Sequence, residues 1–252
     1  ADYVFLESTY GNRIHPQEDT KLLLETFINN AYHNNGTILI PSFAVERVQT
    51  LMYLLWQLKK ENKLPNIPLI IDTPMGINVL EVFQNNTSWH KLNPHECEEM
   101  CKIFTLISNY KDTIDTIYNP KPKVVIAASG MMTGGRILSY MEEYIGKPET
   151  SVVIVGYQAE GTRGRKLLEG ANEIKIYGKY YPVKAKILEI EGLSAHGDQN
   201  DLLNWLTELN PKPKKVFLVH GENQPADELR IKVREKLGME CSIPLMGQEI
   251  EL

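Results

Sequence analysis

The chain has 252 residues, 42% hydrophobic and 23% charged, which excludes a disordered polymer and allows one large or two ordinary domains with real cores. Its 27 basic and 32 acidic residues leave a formal charge of −5, so a polyanion would have to be held by local groups or a metal rather than by a global basic field. No apolar run approaches the roughly 20 residues of a membrane helix, and the N-terminus lacks a signal-peptide pattern. Cys97, Cys101 and Cys241 suggest a reducing, cytoplasmic setting rather than a disulfide framework.

The opening "ADYVFLESTYGNR" has no initiator Met, and Tyr3-Val4-Phe5-Leu6 reads as a buried strand. A domain seldom starts inside a core strand, so the expectation is a fragment of a longer protein. "GTILIPSF" (36–43) leads into a helix over 44–60, where Val45, Val48, Leu51, Met52, Leu55 and Leu58 fall at helical spacing. "IPLIID" (67–72) precedes Thr73, a candidate N-cap, and Pro74 at a first helical position. On the following stretch Cys97 and Cys101 would share one helix face, as ordinary partly buried thiols. "PKVVIAAS" (122–129) runs through "GMMTGGR" into a helix from about Ile137, and "TSVVIVGY" (150–157) runs into "QAEGTRGRKLLEG", whose last Gly stops the helix. Four strand–loop–helix units predict an α/β fold with a parallel sheet wound on both faces.

After Gly170 the texture changes. "EIKIYGKYYPVKAKILEI" (173–190) alternates with period two around a Gly-Lys turn and reads as a hairpin. "SAHGDQNDLLNWLTEL" starts a helix with Asp198 or Asn200 as its cap, "KKVFLVH" is a strand, and "QPADELRIKVREKLG" is a helix bounded by Pro225 and Gly238.

Ligands of open α/β sheets gather at the carboxyl ends of strands. Polar or glycine-rich sequence ends strands at "LESTYG", "ASGMMTGGR", "GYQAEGTRGR", and at "LSAHGD" with "LVHGE"; small residues there let backbone N–H groups approach an anion. His196 and His220 each stand between a hydrophobic stretch and a Gly followed by an acid, Asp198 or Glu222. Taken singly, each is an ordinary histidine at a strand rim. With Glu7 in the same strand-end setting they could form a site, because imidazole ligates zinc and a carboxylate-held His is a competent acid or base near neutral pH. Alone they make a poor zinc set, since no H-x-H-x-D-H or H-E-x-x-H motif supplies further donors. His15, His33, His90 and His95 lack metal-like spacing and read as surface or loop residues.

In their order and spacing, "ESTYGNR", "PSFAVERVQTL", "AASGMMTGGRI", "GYQAEGTRGRKLL", "LSAHGDQNDLL" and "LVHGE" resemble the β-CASP branch of the metallo-β-lactamase superfamily. The resemblance runs along essentially the whole chain. It implies a parallel, doubly wound β-CASP domain (12–193) inserted in a metallo-β-lactamase αββα fold. Residues 1–11 would end the first lactamase segment, and 194–252 would be its returning C-terminal part. It further implies a zinc-dependent nuclease that hydrolyses single-stranded RNA, endo- or 5′-exonucleolytically, in RNA processing or degradation.

Position by position, His220 matches a ligand of one of two zinc ions. His196 matches the residue that protonates the leaving 3′ oxygen, oriented by Glu7. Gly221 would keep the space beside His220 clear, and Glu222 would help orient its ring. Ser194 matches a phosphate-touching position. Ser129, Gly130, Gly161 and Thr162 would cradle the strand, with Arg136, Arg163 and Arg165 as nearby cations. The family's H-x-H-x-D-H motif is absent from the 252 residues, so the ligand set is incomplete and the chain by itself is expected to be inactive. A homodimer is plausible from the family. The alternatives are a DNA-specific nuclease of the same branch, against which His220 speaks, and a catalytically silent scaffold subunit.

Overall fold

The computed structural model describes residues 1–251. In chain order its elements begin with β1 (Tyr3–Glu7), α1 (Thr20–His33), β2 (Ile38–Pro41), α2 (Arg47–Lys60), β3 (Leu69–Asp72) and α3 (Pro74–Asn85). Next come α4 (Pro94–Lys102), β4 (Phe104–Leu106), α5 (Tyr110–Tyr118), β5 (Val124–Ala127), α6 (Ile137–Tyr144), β6 (Ser151–Val155) and α7 (Arg163–Leu168). The last are β7 (Glu173–Ile176), β8 (Lys179–Pro182), β9 (Lys186–Ile190), α8 (Gln199–Thr207), β10 (Lys215–Val219), α9 (Asn223–Leu237) and β11 (Cys241–Ser242). They form two compact units: Glu18–Leu193, and residues 1–17 with the segment from Ser194 onward. Among the described residues no helix is long and apolar enough to cross a membrane.

The unit Glu18–Leu193 is built on a six-stranded parallel sheet of order β4-β3-β5-β2-β6-β9. Its central strands are buried on both faces, as crossover helices on either side require. Ile38, Ile40, Ile71 and Val124 point to the face covered by α1, α2 and α4, where Leu51, Leu55 and Leu58 of α2 are fully buried. Leu39, Ile70, Val125 and Ile154 point the opposite way, to α6 with Tyr140 and Met141. The four expected strand–loop–helix units are present, Thr73 caps α3 by accepting the N–H of Gly76, and Gly170 follows α7 in the left-handed region.

Three expectations need correction. The α2 helix begins at Arg47, because Glu46 has φ of +62°, a conformation that ends helical continuity; Val45 lies outside it and is exposed. The hairpin covers only Glu173–Pro182 and turns at Tyr177-Gly178, both at positive φ, the twist-matched geometry of a two-residue loop. Lys186–Ile190 instead runs parallel beside β6 in the large sheet. Finally, β1 buries only Val4 and Leu6, while Phe5 is exposed and its ring stacks on Phe217 at 4.9 Å.

The smaller unit is a three-stranded parallel sheet, β1-β10-β11. Val4, Leu6, Val216 and Leu218 share a core with Leu202, Leu206, Leu229 and Val233 of α8 and α9. Residues 1–17 belong to this unit, and Gln199 ties them to α8: its N donates to Arg13 O at 3.0 Å and its Nε2 to Gly11 O at 2.6 Å.

Candidate active site

Three chain segments of the smaller unit meet at one point: the end of β1, the turn before α8, and the end of β10. Register places Glu7 beside Val219, so Glu7 and His220 leave neighbouring strands at the same level. His220 has φ of +58°, a left-handed turn that ends β10 and that His tolerates better than bulky apolar residues. Gly221 follows it directly under Ser8: a Cβ there would lie 2.3 Å from Ser8 Oγ and 2.6 Å from the Ser8 carbonyl oxygen. Ser8 Oγ also donates to Val219 O at 3.0 Å. Gly221 is therefore needed for strand-to-strand closeness rather than for space around the ring. Glu222 is the N-cap residue of α9.

Glu7, His196 and His220 each offer a donor atom, all within 4.8 Å of one another. Glu7 Oε1 accepts the N–H of Gly197 at 3.0 Å, and Oε2 accepts the N–H of Thr9 at 2.9 Å. Oε2 also faces His196 Nδ1 at 3.3 Å. A carboxylate only accepts, so a proton on Nδ1 would suit this contact and would leave Nε2 to exchange one. The two imidazoles stack at 5.2 Å between centroids.

Thr9, which the sequence did not single out, stands between them. Its hydroxyl donates to His220 O at 3.2 Å and lies 3.4 Å from His196 Nδ1 and 3.3 Å from His220 Nδ1. With its only proton given to the carbonyl, it can accept from both rings. Thr9 lies in the turn after β1, where its N–H bonds the Glu7 carboxylate, so no strand period marked it in the sequence.

The His196 loop is braced on both sides. Ser194 Oγ accepts the His196 N–H at 3.2 Å. Asp198 caps α8 in a reciprocal box with Asp201 and accepts the N–H of His15 at 2.9 Å. Burial raises the Asp198 pKa, but the N–H groups of Asp201, His15 and Asn200 outweigh it and hold the carboxyl below its ordinary value. Asp198→Ala should therefore cost about 1–2 kcal/mol at pH 7. The sign follows from linkage: a depressed carboxyl stabilises above the unfolded value near ~4 and ceases to as pH falls through the folded value. Urea unfolding of wild type and variant should show a gap at neutral pH that narrows in acid; a gap that widens in acid contradicts the assignment.

The other expected site residues lie in the unit Glu18–Leu193. Ser129 Oγ accepts the N–H groups of Thr133 and Gly134 at 3.1 and 3.3 Å, closing the loop, and Gly130 abuts Phe43 so closely that a Cβ would lie 2.8 Å from its ring. Thr162 caps α7, and Gly161 has φ of +79° in open space. Arg163 Nε donates to Lys175 O and its Nη1 to Met132 O, at 2.6 and 2.9 Å, joining hairpin and loop. Arg136 turns inward: it pairs with fully buried Asp72 and donates to the carbonyls of Ile107 and Ser108. Tyr140 OH donates to the other Asp72 oxygen at 2.7 Å; burial, then that hydrogen bond, push its phenol above the ordinary value. Arg136 thus compensates a buried acid. Of the four other histidines, His90 stacks on Phe83 at 3.8 Å and His95 is exposed beside Glu99, whereas His15 reaches the His196 loop.

In donor chemistry the cluster fits zinc, which imidazole and carboxylate both ligate. Residues 48–167 match the family model of the Beta-Casp domain, and residues 180–244 match that of the Zn-dependent metallo-hydrolase RNA specificity domain. The chain is 31% identical to an RNase J-like protein of Methanocaldococcus jannaschii, over 98% of this chain and 58% of that protein. It is also 31% identical to Ribonuclease TTHA0252 of Thermus thermophilus, over 100% of this chain and 56% of the ribonuclease. Transcription termination factor FttA of Methanosarcina mazei is 29% identical over 95% of this chain and 40% of the factor. The chain thus spans between two fifths and three fifths of these relatives' lengths. With the two family models in succession along its length, and parallel α/β architecture to match, the chain belongs to the β-CASP branch of the metallo-β-lactamase superfamily.

Proposed function

We propose that this chain carries part of the active site of a zinc-dependent RNA nuclease. The observation that carries the reading is the convergence of Glu7, His196 and His220 from three distant segments onto one point. In this reading His220 is a zinc ligand, its exposed ring presented by the left-handed turn after β10. His196 is the general acid: with Nδ1 held against Glu7, Nε2 delivers a proton to the departing 3′ oxygen. Glu7 is spent on orientation, because its oxygens already accept two backbone N–H groups. Ser194 accepts from His196 N–H, which leaves its own O–H to donate to a phosphate oxygen. Bound zinc supplies Lewis acidity that offsets charge developing on the phosphate.

Two zinc ions, single-stranded RNA as substrate, endo- or 5′-exonucleolytic attack, a cytoplasmic setting and a homodimer belong to the same reading, supported by the resemblance. So do the strand-cradling roles of the loops around Ser129 and Thr162, and the assignment of 12–193 to the inserted domain with 1–11 and 194–252 flanking it. An intact, assembled cluster speaks against a silent scaffold. The test is cleavage of a 5′-labelled single-stranded RNA by the full natural protein, with and without a chelator. Cutting should stop on chelation and return with zinc, and product size reports the mode of attack. Chelation without effect sinks the zinc assignment.

A further inference from the structure

We propose that His15 is a positioning residue for His196, an inference that rests on the reading of His196 as the general acid. His15 follows β1 by eight residues and lies 181 residues from its partner in sequence. Its Nε2 is 2.9 Å from His196 O. A carbonyl only accepts, so Nε2 carries the proton. Its Nδ1 is buried without a hydrogen-bond partner. The His15 backbone N–H meanwhile binds Asp198 Oδ2 at 2.9 Å. One residue therefore grips the chain on both sides of Gly197.

The consequence for His196 follows from counting its neighbouring backbone groups. Its N–H is taken by Ser194 Oγ at 3.2 Å, its carbonyl by His15 Nε2 at 2.9 Å, and the next N–H by Glu7 Oε1 at 3.0 Å. Three successive polar groups are each fixed by a side chain, and that fixes where the imidazole leaves the backbone. The buried Tyr10 ring walls the arrangement, edge-on to His15 at 4.7 Å and 6.4 Å from His196. A purely structural role for His15, stapling residues 10–15 to the α8 cap, is already covered by the two Gln199 bonds to Arg13 and Gly11. What only the His15 side chain supplies is the hold on His196 O. Misplacing a reacting group by about 1 Å costs on the order of 10²-fold in rate, so a lost hold is visible in turnover.

The experiment compares His15→Phe, which keeps a ring against Tyr10 but has no donor, with His15→Gln, whose amide nitrogen reaches about as far as Nε2. Both are made in the full natural protein beside His196→Ala, and steady-state RNA cleavage is measured. His15→Phe should lower kcat by about 10–100-fold with little change in KM or melting temperature. His15→Gln should recover most of that loss. Nitrogen NMR of the labelled imidazoles should keep the His196 Nδ1–H signal in His15→Gln and broaden it in His15→Phe. Wild-type kcat in His15→Phe, equal impairment of both variants, or an unaltered His196 signal in His15→Phe would each overturn the inference. Undiminished cutting by His196→Ala would instead remove the general acid, and with it any catalytic role for His15. The imidazole signals would then still decide whether His15 holds the ring.

Discussion

His196→Ala in the full natural protein should lower kcat for RNA cleavage by about 10²–10⁴-fold, the span of a lost general acid, with KM changed far less. The reason lies in the geometry of one nitrogen. Nδ1 is committed to Glu7 Oε2 at 3.3 Å and neighbours Thr9 Oγ1 at 3.4 Å, so the ring cannot turn Nε2 inward without breaking both contacts. His196→Gln should restore little, because an amide donates a hydrogen bond but does not release a proton to an oxygen. Glu7 gives a companion result, since removing its carboxylate frees the Gly197 and Thr9 N–H groups along with the ring. A variant at 196 that cuts within about threefold of wild type, well short of a general-acid loss, would remove it from the mechanism.

The largest effect on stability is expected at Gly221. Gly221→Ala should destabilise the protein by about 3 kcal/mol, the upper range for overpacking, because behind the Ser8 hydroxyl the intruding Cβ also meets backbone, which cannot swing aside. The Ser8 carbonyl oxygen would be 2.6 Å away and the Ser8 carbonyl carbon 2.8 Å away. Relief requires β1 and β10 to separate at their ends, which also parts Glu7 from His220. Chemical denaturation should show the loss directly, and zinc affinity should fall with it. Gly238→Ala is the control: Gly238 has φ of +63° but nothing within 4 Å of its Cβ position, so it carries only the left-handed conformational cost of about 1–2 kcal/mol. Equal losses at the two glycines would show that crowding under Ser8 is not what Gly221 relieves.

Much of the sheet architecture was legible because its code is local. Runs such as "ILIP" and "VVIV" are apolar at every position, and a strand buried on both faces reads that way. Thr73 with Pro74, and Asp198 before "QNDLL", announce helix starts in a few residues. Glu7, His196 and His220 stood out because polar residues ending apolar strands are chemically conspicuous. What escaped was decided by distant partners. Arg136 is expected as a cation near the strand-cradling loops, and the sequence does not show its pairing with Asp72, an acid at the end of an apolar strand 64 residues earlier. Nothing in the spacing of His15 suggests that it reaches His196. The Glu46 conformation that shortens α2 and the placement of β9 beside β6 depend on packing that no period encodes. β4, with three residues and only Phe104 buried, was too short to carry a pattern.

The zinc content of the full natural protein, measured against that of its His220→Ala variant after identical purification, tests the central claim most directly. Stoichiometric zinc that drops in the variant, while the fold persists, is the predicted result. Identical zinc in both proteins would contradict the placement of a metal at the meeting point of Glu7, His196 and His220.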